Sequence, residues 1–137
     1  MLEHLTLKDF AVVSGAELAF ADGLTVVFGE TGAGKSLLVD ALLWLTGARA
    51  DAGIVRHGAD RAELNAEFGL QDAPEAAAWL TENALDEDGA CQLRRVIRAD
   101  GGSRGWINGR PATLAQLREL GGLLVEIHGQ HEHQALL

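Results

Sequence analysis

The sequence predicts an α/β fold built around a phosphate-binding strand–loop–helix core, and three observations predict it. Gly29-Glu30-Thr31-Gly32-Ala33-Gly34-Lys35-Ser36 matches G-x-x-x-x-G-K-[ST] in full. The run before it, Leu24-Thr25-Val26-Val27-Phe28, is short, rich in β-branched residues and nearly all apolar. That is the pattern of a strand buried on both faces. The run after it, through Leu45, is long, rich in leucine and closed by Gly47, so it reads as a helix.

The other elements follow in chain order. Leu2, Leu5 and Leu7 alternate imperfectly over residues 2–8 and suggest a strand. Two short apolar runs, Phe10-Ala11-Val12-Val13 and Leu18-Ala19-Phe20, flank Ser14-Gly15-Ala16-Glu17, which reads as a break. Residues 48–61 hold three small-residue breaks and read as a loop, and Ala62 to Leu70 alternates as a strand. Ala73 to Leu85 is an alanine-rich helix with Pro74 suited to its first turn. Cys91 to Ala99 and Arg104 to Ile107 read as strands joined across Asp100-Gly101-Gly102, and Asn108-Gly109 is a hairpin-turn dipeptide. Thr113-Leu114-Ala115-Gln116 is a capping box, opening a helix expected to stop at Gly121-Gly122. Leu123 to Ile127 then reads as a final strand.

Composition bounds the function classes. The chain has 137 residues, 47% of them apolar and 23% charged, which is ordinary for a globular protein with one core. It contains no 18-residue apolar run, so no membrane-spanning helix is expected. Met1-Leu2-Glu3-His4 lacks the basic start of a secretory signal. The single cysteine, Cys91, excludes an internal disulfide framework and fits a reducing cytosol. The formal charge of −9 argues against a domain that grips nucleic acid by bulk charge. Its distribution is uneven, however. Asp72, Glu75, Glu82, Asp86, Glu87 and Asp88 form a stretch without a base, while Arg94, Arg95, Arg98, Arg104 and Arg110 crowd the hairpin that follows. These read either as two solvated surfaces or as a basic hairpin that meets an anionic partner.

The chemistry of the glycine-rich segment is specific. Glycines let the backbone turn tightly, so that successive N–H groups point at phosphate oxygens. Lys35 would bring positive charge to the β- and γ-phosphates, and Ser36 would supply a hydroxyl to the bridging magnesium. The helix that starts here adds its positive dipole end. The expected ligands are therefore ATP and Mg2+, with Gly29, Glu30, Thr31, Gly32, Ala33, Gly34, Lys35 and Ser36 as the binding residues.

Small-molecule kinases usually carry this loop within the first dozen residues, whereas 28 residues precede it here. That arrangement resembles the ATP-binding cassette heads of the SMC-like family, and most closely its bacterial DNA-repair members. The resembling blocks are 5–13, 29–36, Gly47-Ala48-Arg49-Ala50-Asp51, Leu93-Arg94-Arg95-Val96-Ile97, Ser103-Arg104-Gly105-Trp106-Ile107-Asn108-Gly109, and Ile127-His128-Gly129-Gln130-His131-Glu132-His133-Gln134. The resemblance implies the N-terminal lobe of an ABC-type P-loop ATPase head, with an antiparallel β layer beside the P-loop strand–helix core. Residues 1–137 would be the N-terminal half of that head, with the coiled coil and the C-terminal half absent from this chain. The implied function is Mg-dependent ATP hydrolysis after head dimerisation, in DNA double-strand-break repair and recombination. The implied partners are the C-terminal half of its own head, a second head and DNA, in a cytoplasmic protein that joins the nucleoid during repair.

By the same resemblance, Gln130 matches the glutamine that contacts magnesium and the attacking water, with Gln134 a weaker match. Arg49 matches an arginine that touches nucleotide or DNA, and Arg56 is a second choice. Lys35 and Gln130 would then be the catalytic residues of this lobe, and Ser36 and Gln130 the magnesium contacts. One departure is Ala11, which follows Phe10 where several relatives carry an arginine.

Two segments are decoys. Leu120-Gly121-Gly122 lacks the serine of an ABC signature, and Leu123-Leu124-Val125-Glu126 lacks the aspartate of a Walker B strand. His128, His131 and His133 fit no helical zinc motif. The chain therefore holds half of an active site, which lacks the Walker B carboxylates. A P-loop kinase of a small substrate, or a nucleotide-gated interaction module without chemistry, remain the alternative readings.

Overall fold

The computed structural model describes residues 2–11, 13–19, 31–48 and 52–124. The expected strand 24–28, Gly29, Glu30, Arg49, Gln130, Gln134 and the three histidines after residue 127 lie outside the described residues. Six strands form one sheet: β1 (Leu2–Phe10), β2 (Val13–Ala19), β3 (Arg61–Phe68), β4 (Cys91–Arg98), β5 (Ser103–Ile107) and β6 (Arg110–Ala112). Their order is β2-β1-β3-β4-β5-β6 and every pairing is antiparallel. Among the described residues three helices accompany it: α1 (Thr31–Leu45), α2 (Pro74–Glu82) and α3 (Leu114–Leu124). A 3-10 turn, Ala52–Ile54, lies in the loop after α1.

Period-two alternation decides the faces of the sheet. Ala62, Leu64, Ala66 and Phe68 of β3, and Cys91, Leu93, Arg95 and Ile97 of β4, all point inward and are buried. Leu5 and Leu7 of β1 join them. A left-handed residue, Asp9 (φ 51°), then shifts the phase by one, so Phe10 also turns inward. From the other side come Leu38, Ala41, Leu42 and Leu45 of α1, Ala76 and Leu80 of α2, and Leu117 and Leu120 of α3. Each buried leucine contributes roughly 2 kcal/mol from its lost apolar surface. α1 is apolar on nearly all sides, with Asp40 its sole charge after Lys35, which suits a helix enclosed by other elements.

Local chemistry explains the joints. Asn108 (φ 50°) and Gly109 (φ 81°) are both left-handed, as a type I′ hairpin turn between β5 and β6 requires. The Asn108 side chain also donates to Leu85 O (2.8 Å) and Ala90 O (3.0 Å) and accepts from Gln92 N–H (2.9 Å), tying the hairpin to β4 and the end of α2. The capping box at α3 forms as expected: Gln116 N–H donates to Thr113 Oγ1 (3.1 Å) and Thr113 N–H to Gln116 Oε1 (2.9 Å).

Two expectations change. Ser14–Glu17 is not a break, because β2 runs through it and the chain reverses earlier, where Phe10 pairs with Val13 around left-handed Ala11 (φ 55°). Cross-strand bonding to β1 outweighs the weak propensity of that polar stretch. Nor does α3 stop at Gly121-Gly122, since it continues to Leu124; Leu123 and Leu124 are therefore helical rather than the start of the expected strand 123–127, whose other residues lie outside the described residues. Gly121 lies against Thr46, where a Cβ would collide with the threonine side chain. That glycine permits close packing of α3 on α1 rather than ending the helix.

Candidate nucleotide-binding site

The second half of the glycine-rich motif, Thr31 to Ser36, forms the opening turns of α1. The first four N–H groups of a helix have no intrahelical acceptor and carry the positive end of its dipole. Thr31, Gly32, Ala33 and Gly34 make up this turn. This donor set fits an anionic phosphate group. Lys35 and Ser36 follow directly on the helix, which is where the motif needs them.

The sheet holds the other end of this helix. Ala48 N–H donates to Leu43 O (3.1 Å) and Gly47 N–H to Trp44 O (3.4 Å), with Gly47 at φ 96°, which together make a Schellman cap. Gly47 is packed as well as left-handed: a Cβ there would lie 2.9 Å from Leu114 O and 3.0 Å from Arg118 N. Two arginines complete the cap from distant elements. Arg95 of β4 donates through Nη1 to Trp44 O (2.6 Å) and to Ala48 O, and through Nε and Nη2 to Ser103 Oγ (3.3 and 3.1 Å). Its guanidinium also lies 5.8 Å from the Trp44 ring centroid. Arg118 of α3 donates to Gly47 O at 3.4 Å.

Arg95 is fully buried, the one buried charged side chain among the described residues. Burial, and secondly the nearby Arg118 charge, pull its pKa below the usual arginine value. The facing helix C-terminus favours the cation, because the last carbonyls carry partial negative charge. The loop that leaves this cap is tied down again at the end of β1. There Ala11 N–H donates to Ile54 O (2.6 Å) and Arg56 N–H to Asp9 O (2.8 Å), and Arg56 Nη1 lies 4.0 Å from Asp9 Oδ1. Both attachments flank Arg49, which itself lies outside the described residues.

The hairpin arginines do not form one cluster. Arg95 is a core residue, and Arg110 bonds Ala84 O and pairs with Glu87 at 3.4 Å beside the end of α2. Arg94, Arg98 and Arg104 remain on the outer face of the sheet. The signal for Arg95 was present in the sequence, since Cys91-x-Leu93-x-Arg95-x-Ile97 puts it on the apolar face. Cys91 is buried and its thiol is pushed up to about 11 by that burial, so it is not a nucleophile. Among the described residues no group of three histidine, cysteine or acidic side chains could hold a metal ion, and no helix is long and apolar enough to cross a membrane.

A family model described as an AAA domain matches residues 4–120. The chain belongs to the AAA domain family. It is 64% identical over its whole length to the DNA repair protein RecN of Xylella fastidiosa strain Temecula1, and 47% identical to the RecN of Vibrio cholerae. In both cases it spans about a quarter of the relative's length (25%). The fold matches the Smc head domain with a coiled coil and joint from Pyrococcus yayanosii. The TM-score is 0.73 at 24% identity, covering 96% of this chain and 27% of that one. The expected α/β fold with its antiparallel β layer is therefore one this chain shares with an Smc head domain, and the similarity to RecN covers all 137 of its residues.

Proposed function

We propose that this chain is the N-terminal half of a RecN-like ATPase head acting in DNA double-strand-break repair and recombination. The whole-length similarity to DNA repair proteins named RecN carries this reading. Residues Gly29 to Ser36 bind ATP, with the first-turn amides of α1 and the Lys35 ammonium on the phosphates. The Ser36 hydroxyl and Gln130 would hold Mg2+, and Arg49 would contact the nucleotide. A bound magnesium ion supplies charge neutralisation at the phosphates. Gln130 orients the attacking water, and the remaining carboxylates come from the C-terminal half of the head. A second head completes each ATP site in a cytoplasmic protein that reaches the nucleoid through DNA.

Substituting Lys35→Ala in the full-length protein tests this reading. We expect ATP hydrolysis to fall by roughly 100-fold or more, as when one electrostatic contact to a transition state is lost, and ATP binding to weaken. Unchanged turnover would remove the loop from the mechanism.

A further inference from the structure

Filling the core does not explain why residue 95 is an arginine. It stands on the apolar face of β4, in register with buried Leu64 of β3 and buried Gly105 of β5, a position that suits an apolar side chain. A buried cation loses its hydration, and exchanging buried ionic groups for apolar ones of similar volume is often neutral or stabilising. Burial is also the larger cause of its depressed pKa. What an apolar side chain lacks is direction.

α1 packs into the core through Leu38, Ala41, Leu42 and Leu45. Apolar contacts of this kind are non-directional, so they hold the helix down more firmly than they fix its position along its own axis. Hydrogen bonds do fix that position, because they weaken steeply with distance and angle. The Arg95 fork joins three elements at once. Nη1 donates to Trp44 O (2.6 Å) and to Ala48 O at the end of α1, while Nε and Nη2 donate to Ser103 Oγ of β5 (3.3 and 3.1 Å). The backbone of Arg95 belongs to β4. No glycine or proline interrupts α1 from Lys35 to Leu45, so the helix behaves as a stiff rod. Fixing Trp44 therefore fixes Thr31, about 20 Å away along the axis.

We propose that Arg95 is a positioning residue for the nucleotide site: by holding the end of α1 against β4 and β5, it sets where the first-turn amides and Lys35 meet the phosphates of ATP. The proposal rests on the ATPase reading above and adds a residue that acts on the site through the helix, without touching ATP. Displacing reacting groups by about 1 Å lowers a rate on the order of 100-fold. Ground-state binding is spread over many contacts and is less sensitive to such a shift. The expected mark is a fall in kcat with ATP affinity held. A lysine at 95 would return the charge to the helix end but not the fork that reaches two elements.

The test uses the full-length protein and measures three quantities: kcat, the Kd of ATP, and the protection that saturating ATP gives the Gly32 to Ser36 amides against hydrogen exchange. It compares wild type with Arg95→Met, Arg95→Lys, Ser103→Ala and Leu80→Ala. Leu80 is buried on α2, so its truncation weakens the core and leaves the four Arg95 bonds in place. Both Arg95 variants should lower kcat by about tenfold or more with Kd within about threefold, and ATP should protect the Gly32 to Ser36 amides less than in wild type. Ser103→Ala should lower kcat by about threefold, and Leu80→Ala should keep the wild-type value. Folded Arg95 variants with wild-type kcat and amide protection overturn the proposal. Full recovery in Arg95→Lys overturns it too, because charge alone would then suffice, and so does an equal loss in Leu80→Ala. If the Arg95 variants do not fold, Ser103→Ala decides, since it removes only a hydroxyl: reduced kcat at unchanged Kd supports the proposal and unchanged kcat overturns it. Wild-type turnover in Lys35→Ala overturns the ATPase reading itself, and this proposal with it.

Discussion

Replacing Arg95 with methionine would keep an unbranched apolar stem in the core and delete the guanidinium. Four hydrogen bonds would go: two to carbonyls at the end of α1 and two to Ser103 Oγ. The losses are unequal. Trp44 O keeps the Gly47 N–H, and Ser103 is half-buried and can turn toward water, whereas Ala48 O has no other partner among the described residues. One orphaned carbonyl costs about 1–3 kcal/mol when fully buried, and the half-buried Ala48 O falls toward the low end of that range. The lost cation at a helix C-terminus adds up to about 2 kcal/mol. Against these stands relief from burying a charge beside Arg118, which accounts for the lowered Arg95 pKa. The net expectation is a loss of about 1–3 kcal/mol, localised at the end of α1. Hydrogen exchange of the Leu42 to Ala48 amides in the full-length protein measures it, with protection falling by about 5- to 150-fold. Protection within twofold of wild type would refute the idea that Arg95 fastens this helix.

Two further outcomes follow from the same geometry. Gly47→Ala should destabilise the lobe by at least about 1–2 kcal/mol, because the new methyl meets a left-handed backbone and the α3 main chain together, and urea unfolding would read it. Burial works against ionisation of Glu63, but hydrogen bonds and charge from Arg94 and Arg61 outweigh it and hold its carboxyl below the usual range. Its contribution is therefore present above about pH 4 and lost as pH falls through the depressed value. Glu63→Gln should flatten the acid limb of stability against pH, and an unaltered limb would count against the pairing.

The candidate site was legible to different depths. The motif at 29–36 could be read because its chemistry is local: every required group lies within eight consecutive residues. The Asn108-Gly109 turn and the Thr113–Gln116 box were legible for the same reason, as their bonds close within a few residues. The arginine hairpin was misread as one surface. Neighbours on a strand point to opposite faces, so Arg94 and Arg95 part company, and only the position of α1 over β4 gives Arg95 its partners.

From the sequence alone came the α/β class, the phosphate loop, the family resemblance, most elements and the unevenness of the charge. These rest on short-range pattern: periodicity, glycine spacing, caps and turn dipeptides. Only the tertiary structure decided that β2 runs unbroken through Ser14–Glu17, that α3 passes through Gly121, and that Arg95 and Arg118 close the C-terminal end of α1. Each of these depends on a contact between residues far apart in the chain, such as Arg95 with Trp44. The energy of those contacts exceeds the local preferences that a sequence pattern records.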